Sequence, residues 1–181
     1  MNIRSLLIRF FYYYIKKDSI KCARFLGVKI GEDCKILDDP GKVFGSEPWL
    51  VSVGNHCEFT NGVRIITHEG AIWVARYLEN SLKNSDIMKP VKIGNNVMIG
   101  QYSIVMPGVQ VGNNVIIGAH SVVTKNIENN IIVAGIPAKK IKSIDDFIKD
   151  CKESKYIIPT KNMNQNEKKD YISKYRSELL K

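Results

Sequence analysis

The segment Ile93–Glu128 reads IGNNVM, IGQYSI, VMPGVQ, VGNNVI, IGAHSV, VTKNIE, six consecutive blocks of six residues. The first position of each block is a branched aliphatic residue: Ile93, Ile99, Val105, Val111, Ile117 and Val123. The fifth is small or β-branched: Val97, Ser103, Val109, Val115, Ser121 and Ile127. Glycine fills the second position in four of the six blocks. A period of six fits neither a lone helix nor an ordinary hairpin sheet. It fits a chain that coils through short strands and turns. Positions one and five then point into a narrow interior, one bulky and one near a corner. The glycines and the Asn-Asn pairs suit tight turns and positive φ. Three blocks close one three-sided rung of eighteen residues, so each strand stacks in parallel on the strand eighteen residues earlier.

Working outward, the same register recurs upstream in IGEDCK (Ile30–Lys35) and in VGNHCE, FTNGVR and IITHEG (Val53–Gly70). Between the two runs, residues 71–90 (AIWVARYLENSLKNSDIMKP) lose the phase. An insertion in such a coil emerges as a loop on one face, and long loops in compact domains are usually functional. His68 stands where the regular coil releases that loop, which makes it a plausible edge of a site. The expected organisation is an N-terminal amphipathic helical segment over 1–27, an all-β solenoid over 28–142 with the loop 71–90, and a helical tail over 143–181. In the tail, Asp145, Asp146, Phe147 and Ile148 open one helix, and Tyr171, Ile172, Tyr175 and Leu179 have the apolar spacing of a second.

The formal charge of +9, from 27 Lys+Arg against 18 Asp+Glu, suggests a phosphate-bearing partner: nucleic acid, an anionic membrane surface or a phosphorylated cofactor. The repeats carry few aromatics and no nucleic-acid motif, which disfavours the first. Cys22, Cys34, Cys57 and Cys151 are widely spaced, without a C-x-x-C pair, and read as reduced thiols of a cytoplasmic protein. Cys34 and Cys57 fall at inward position five. The apolar run Leu6–Ile15 is interrupted by Arg9 and is too short to span a bilayer. No signal-peptide cleavage pattern follows it. It suits a helix capping the core, or a basic, aromatic helix lying at the inner face of a membrane.

The stretch Thr67–Lys142 resembles the hexapeptide-repeat acyltransferases, in particular their O-acetyltransferase branch. The residues that carry the likeness are THEG, the loop with IWVAR, PVKIGNNVMIG, VMPGVQVGNNVIIGAHSVVTKNI and AGIPAKKIK. The match extends over roughly residues 28–142. It implies a left-handed parallel β-helix, a homotrimer, and acetyl-CoA as acyl donor. It also implies an acceptor sugar hydroxyl in capsule, exopolysaccharide or lipopolysaccharide synthesis, free, nucleotide-linked or lipid-linked. Galactoside, maltose and streptogramin acetyltransferases share the core pattern. A small-molecule acceptor such as an amino sugar, serine or an antibiotic stays open beside the polysaccharide.

By this resemblance His68 is the catalytic base. Acyl transfer from a thioester to a hydroxyl needs a group that takes the hydroxyl proton as attack begins, and imidazole suits that task near neutral pH. Glu69 follows directly, but neighbours in a strand point to opposite faces, so it need not orient the ring. Asn61, Trp73, Arg76 and Met98 are acceptor-site candidates. Asn61 equally suits a plain turn, and Trp73 and Arg76 equally suit anchoring the loop. Met98 stands where many relatives carry tryptophan. Gln101 and Ala119, one rung apart, match the positions whose backbone meets the pantetheine arm, and Thr124 and Lys125 match the next contacts. Lys139 and Lys142 match basic residues near the adenosine phosphates, where ammonium groups have an obvious electrostatic use. His120 replaces a usual glycine and carries no assigned role.

Two rival readings share this coil. A zinc hydratase of the γ-carbonic-anhydrase type needs three converging histidines. The chain has three, but His56 and His68 are twelve residues apart, two faces around the coil. A non-catalytic trimeric scaffold is the other.

Overall fold

The protein is described here from a computed structural model covering residues 7–8 and 11–179, the side chains of Tyr14 and of 177–179 excepted. It divides into two compact units, Met1–Ile144 and Asp145–Lys181. Three sheets line the coil of the first unit. The first face stacks β1 (Lys29–Ile30), β3 (Val51–Val53), β6 (Val91–Ile93) and β9 (Gln110–Val111). The second stacks β2 (Lys35–Ile36), β4 (Glu58–Phe59), β7 (Val97–Ile99), β10 (Val115–Ile117) and β12 (Ile131–Ala134), with β13 (Lys139–Ser143) at its edge. The third stacks β5 (Arg64–Ile65), β8 (Ile104–Val105) and β11 (Val122–Val123). The chain visits the faces in the same order on each turn, and every stacked pair is parallel except β12–β13, which is antiparallel.

The expected rung length holds in the middle of the coil. Val97 pairs with Val115, Lys92 with Gln110 and Ile104 with Val122, each eighteen residues apart. In the last turn Ile116 pairs with Ile132 and Val111 bridges Ile127, sixteen apart, so the coil tightens before it ends. Positions one and five of the six blocks are all buried. They form a continuous core with Val53, Cys57, Phe59, Val63 and Ile65 from the earlier rung. Each Val or Ile so removed from water contributes roughly 1.5–3 kcal/mol. Cys57 is buried, and burial pushes its thiol up to about 11. Ser103 and Ser121, also at position five, are satisfied inside. Both hydroxyls donate to Gly118 O, and Ser103 Oγ accepts the Ser121 N–H at 3.1 Å.

The turn chemistry differs from the expectation. The second-position glycines do not supply positive φ; the fourth position does. Asp33, His56, Asn96, Tyr102, Asn114 and His120 all sit at φ 54–57. The second-position glycines are there because the next rung passes too close for a side chain. A Cβ on Gly54 would lie 2.7 Å from Gly94 O, one on Gly94 2.6 Å from Gly112 O, and one on Gly100 would overlap the Ala119 amide.

A second interruption, over residues 37–50, lies between β2 and β3 and carries helix α2 (Pro40–Phe44). Before it, α1 (Ser19–Leu26) starts at the Asp18 cap, whose carboxylate accepts the Lys21 N–H, and stops at Gly27, φ 106. Asp39 caps α2, accepting the Gly41 N–H, and Pro40 begins it. α2 takes the place of a third-face strand in the first turn and packs on β5. Its Phe44 meets Phe59 edge to face at 5.3 Å. The loop 71–90 carries α3 (Ile72–Leu78).

At the N-terminus the structure describes helical residues 7–8, the π-helical stretch Phe11–Ile15 and α1. Residues 1–6, 9 and 10 of the expected segment lie outside the described residues. Among those described, no helix is long and apolar enough to cross a membrane. The tail forms α4 (Ile144–Glu153) and α5 (Gln165–Leu179), as its apolar spacing suggests.

Candidate active site

His68 follows β5 at the corner where the third face gives way to the first. The departing and returning arms of the loop are clipped together around it. Lys89 N–H donates to Thr67 O at 2.7 Å, Glu69 N–H donates to Ile87 O at 2.8 Å, and His68 bridges Met88 in antiparallel fashion. This clip holds the histidine backbone on the rigid coil while the loop beyond it projects. Arg76 on α3 ties the helix to the returning arm through Ser85 O, at 2.7 Å, and Asp86. Of the two roles the sequence left open for Arg76, acceptor contact and loop anchor, its contacts fit the second.

The imidazole does not stand alone. Nδ1 lies 2.9 Å from Glu47 Oε2, and Thr67 Oγ1 donates to the same oxygen at 2.8 Å. A carboxylate oxygen only accepts, so Nδ1 carries the proton and the neutral ring presents Nε2 as its basic nitrogen. Glu47 comes from the 37–50 interruption, just before the short 3₁₀ turn Pro48–Leu50. The carboxylate is nearly buried, with 12% of its side chain exposed, whereas the His68 side chain is 50% exposed. Burial works against ionisation of Glu47, but hydrogen bonds from His68, Thr67 and Ser46 outweigh it and hold the carboxyl below its ordinary range. The site therefore pairs a fixed anion behind the ring with an open nitrogen in front. Glu47 is the residue the sequence reading missed.

The other candidates fall on distinct parts of the coil. Thr124 and Lys125 lie on the His68 corner, two rungs on, or about 10 Å along the axis at strand spacing. Trp73 projects from α3, 77% exposed. Asn61, Gln101 and Ala119 stack instead at the corner between the second and third faces. There Asn61 O accepts the Tyr102 N–H at 3.0 Å and Gln101 O accepts the His120 N–H at 2.7 Å. Met98 sits half-exposed on the second face between Glu58 and Ile116, and Lys139 and Lys142 lie on β13. One chain thus gathers His68, Glu47, Thr124 and Lys125 at one corner and carries the Asn61, Gln101 and Ala119 column at another. His56, His68 and His120 occupy three different corners.

Residues 90–125 match the family described as bacterial transferase hexapeptide (six repeats). Protein CapG of Staphylococcus aureus is 43% identical over 170 residues, covering 94% of this chain and 94% of that protein. The chain belongs to the hexapeptide-repeat acyltransferases. Solved members of this family share its fold. A hexapeptide-repeat-containing acetyltransferase from Vibrio cholerae superposes with a TM-score of 0.57 at 17% identity, over 78% of this chain and 89% of that one. A galactoside acetyltransferase in complex with coenzyme A gives 0.50 at 20% identity, over 87% and 85%. Within this hexapeptide-repeat framework, the His68–Glu47 pair and the loop clip together form the candidate site.

Proposed function

We propose that the protein transfers the acetyl group of acetyl-CoA to a hydroxyl of a sugar destined for capsule, exopolysaccharide or lipopolysaccharide, with His68 as general base. The observation that carries this reading is the His68–Glu47 contact at the mouth of the loop. His68 Nε2 takes the acceptor hydroxyl proton as that oxygen attacks the thioester carbonyl. The imidazolium so formed is stabilised through Nδ1 by the Glu47 carboxylate. As the tetrahedral adduct collapses the C–S bond breaks, and the proton passes from Nε2 to the departing thiolate. The transfer is direct and leaves no acyl group on the protein.

Acetyl-CoA is read as lying along the coil, its pantetheine arm against Gln101 and Ala119, with Thr124, Lys125, Lys139 and Lys142 toward its phosphates. These residues occupy different corners of one chain, which supports a homotrimer of left-handed coils in which the corner of one copy faces the His68 corner of the next. Trp73, exposed on α3, offers a ring for a sugar face. Exposed Leu7, Phe11 and Ile15 next to Lys16 and Lys17 support contact with the inner membrane face, which suits a lipid-linked acceptor.

The test is thiol release from acetyl-CoA in the presence of a panel of sugar acceptors, free and nucleotide-linked. His68→Ala is expected to lower turnover by at least 100-fold while leaving coenzyme A affinity in place. Turnover that survives in His68→Ala refutes the general-base assignment.

A further inference from the structure

Two corners of the coil use the same backbone turn but carry different side chains. Between the first and second faces the positive-φ position holds His56, Asn96 and Asn114. Here the asparagines bond in a ladder, Asn96 Nδ2 to Asn114 Oδ1 at 2.9 Å and Asn114 Nδ2 to Asn130 Oδ1 at 2.7 Å, and His56 Nδ1 lies 2.8 Å from Asn96 Oδ1. Asparagine tolerates this conformation well. Between the second and third faces the same position holds Gly62, Tyr102 and His120, with φ 77, 57 and 54.

A tyrosine at positive φ is an outlier, unlike asparagine or histidine, and such strain persists where function uses it. The two rings stack along the coil axis, centroids 5.2 Å apart and planes 26° apart. Gly62 completes the column, because a side chain there would overlap the Tyr102 ring. The core does not need the stack: Tyr102 is 56% exposed, and His120 is exposed as well. Each ring directly follows a residue read above as a pantetheine contact, Gln101 or Ala119. Stacked face to face and exposed, the rings carry a phenol hydroxyl and imidazole nitrogens on their edges.

Resting on the acetyl-CoA reading, we propose that the Tyr102–His120 stack is the side wall of the donor groove. Its C–H edges carry the methylene and dimethyl segments of the pantetheine arm, and its polar atoms bond to the amides of that arm. The spacing supports this, since an extended chain of alternating apolar and amide segments can follow the rungs. The stack is a binding element and touches no reacting atom.

The test is calorimetric titration of the full-length protein with coenzyme A. Tyr102→Asn and His120→Asn install the residue that the neighbouring corner already accepts at the same φ, so both variants keep the fold, checked by melting temperature. Each is expected to weaken coenzyme A binding by roughly 5- to 20-fold. His56→Asn, the matching change at the other corner, leaves affinity unchanged. Wild-type affinity in Tyr102→Asn and His120→Asn overturns the proposal, as does an equal loss in His56→Asn. Absence of coenzyme A binding by the wild type overturns the donor reading itself, and this inference with it.

Discussion

Replacing Glu47 with glutamine isolates the charge behind His68. The side chain keeps its length and an acceptor oxygen, and the Thr67 hydroxyl, 2.8 Å away, keeps a partner. What disappears is the negative charge facing Nδ1 at 2.9 Å. Hydrogen bonds to charged groups contribute about 1.5–3 kcal/mol and neutral ones about 0.5–1.5 kcal/mol, so the difference is about 1–2 kcal/mol. That difference acts when the ring becomes imidazolium, in the transition state. It therefore lowers kcat by roughly 5- to 30-fold. KM for acetyl-CoA should stay at the wild-type value, because Glu47 is buried behind the ring and its contacts run to His68 and Thr67. The assay is initial-rate thiol release against acetyl-CoA concentration at saturating acceptor, with melting temperatures run in parallel. A Glu47→Gln enzyme with wild-type kcat would refute the reasoning, and so would a lowered kcat that merely tracks a lost fold.

The same carboxylate sets a pH dependence of stability. Its folded pKa lies below the ordinary 4.5. The unfolded chain therefore binds the proton more readily, and the stabilisation is full above pH 4.5 and lost as pH falls through the folded value. Thermal melts from pH 7 to 3 should show the gap between wild type and Glu47→Gln narrowing below that point. Gly100→Ala forces a methyl group into the Ala119 backbone. Overpacking of about 1–3 kcal/mol should lower the melting temperature by roughly 2–10 °C, read by calorimetry. Asn114→Ala loses the amide ladder and strains a residue at φ 54, whereas Asn114→Gly loses only the ladder. Urea titration should place alanine below glycine by roughly 1 kcal/mol.

The coil was legible in the sequence because position one fills a narrow interior that suits a branched aliphatic side chain, so Ile93, Ile99, Val105, Val111, Ile117 and Val123 repeat without exception. The His68 end of the site was legible because the phase fails immediately after it. Glu47 was not read, although its neighbourhood was countable. The hexads at Ile30 and Val53 are 53 − 30 = 23 residues apart, five more than a rung, as the pairing of Ile30 with Val53 bears out. That surplus announces a second excursion, but which of its residues turns back toward His68 depends on the path through α2. The glycines were read for the wrong property. Their repeated position suggested turns, but the cause is the distance to the rung beside them, which only the stacked coil reveals. Gln101 and Ala119 line up by spacing alone, eighteen residues apart, yet spacing along one chain says nothing about which corner will face His68.

The reversal of β13 has a consequence for how the molecule lives at high concentration. An open-ended parallel coil finishes in bare peptide groups that any similar coil can continue. Here the final strand runs backward and sets Lys139, Lys140 and Lys142 along the rim of its sheet. A second molecule that tried to extend the stack would meet mismatched direction and like charge, so the same few residues that finish the fold also keep it from growing into a fibre.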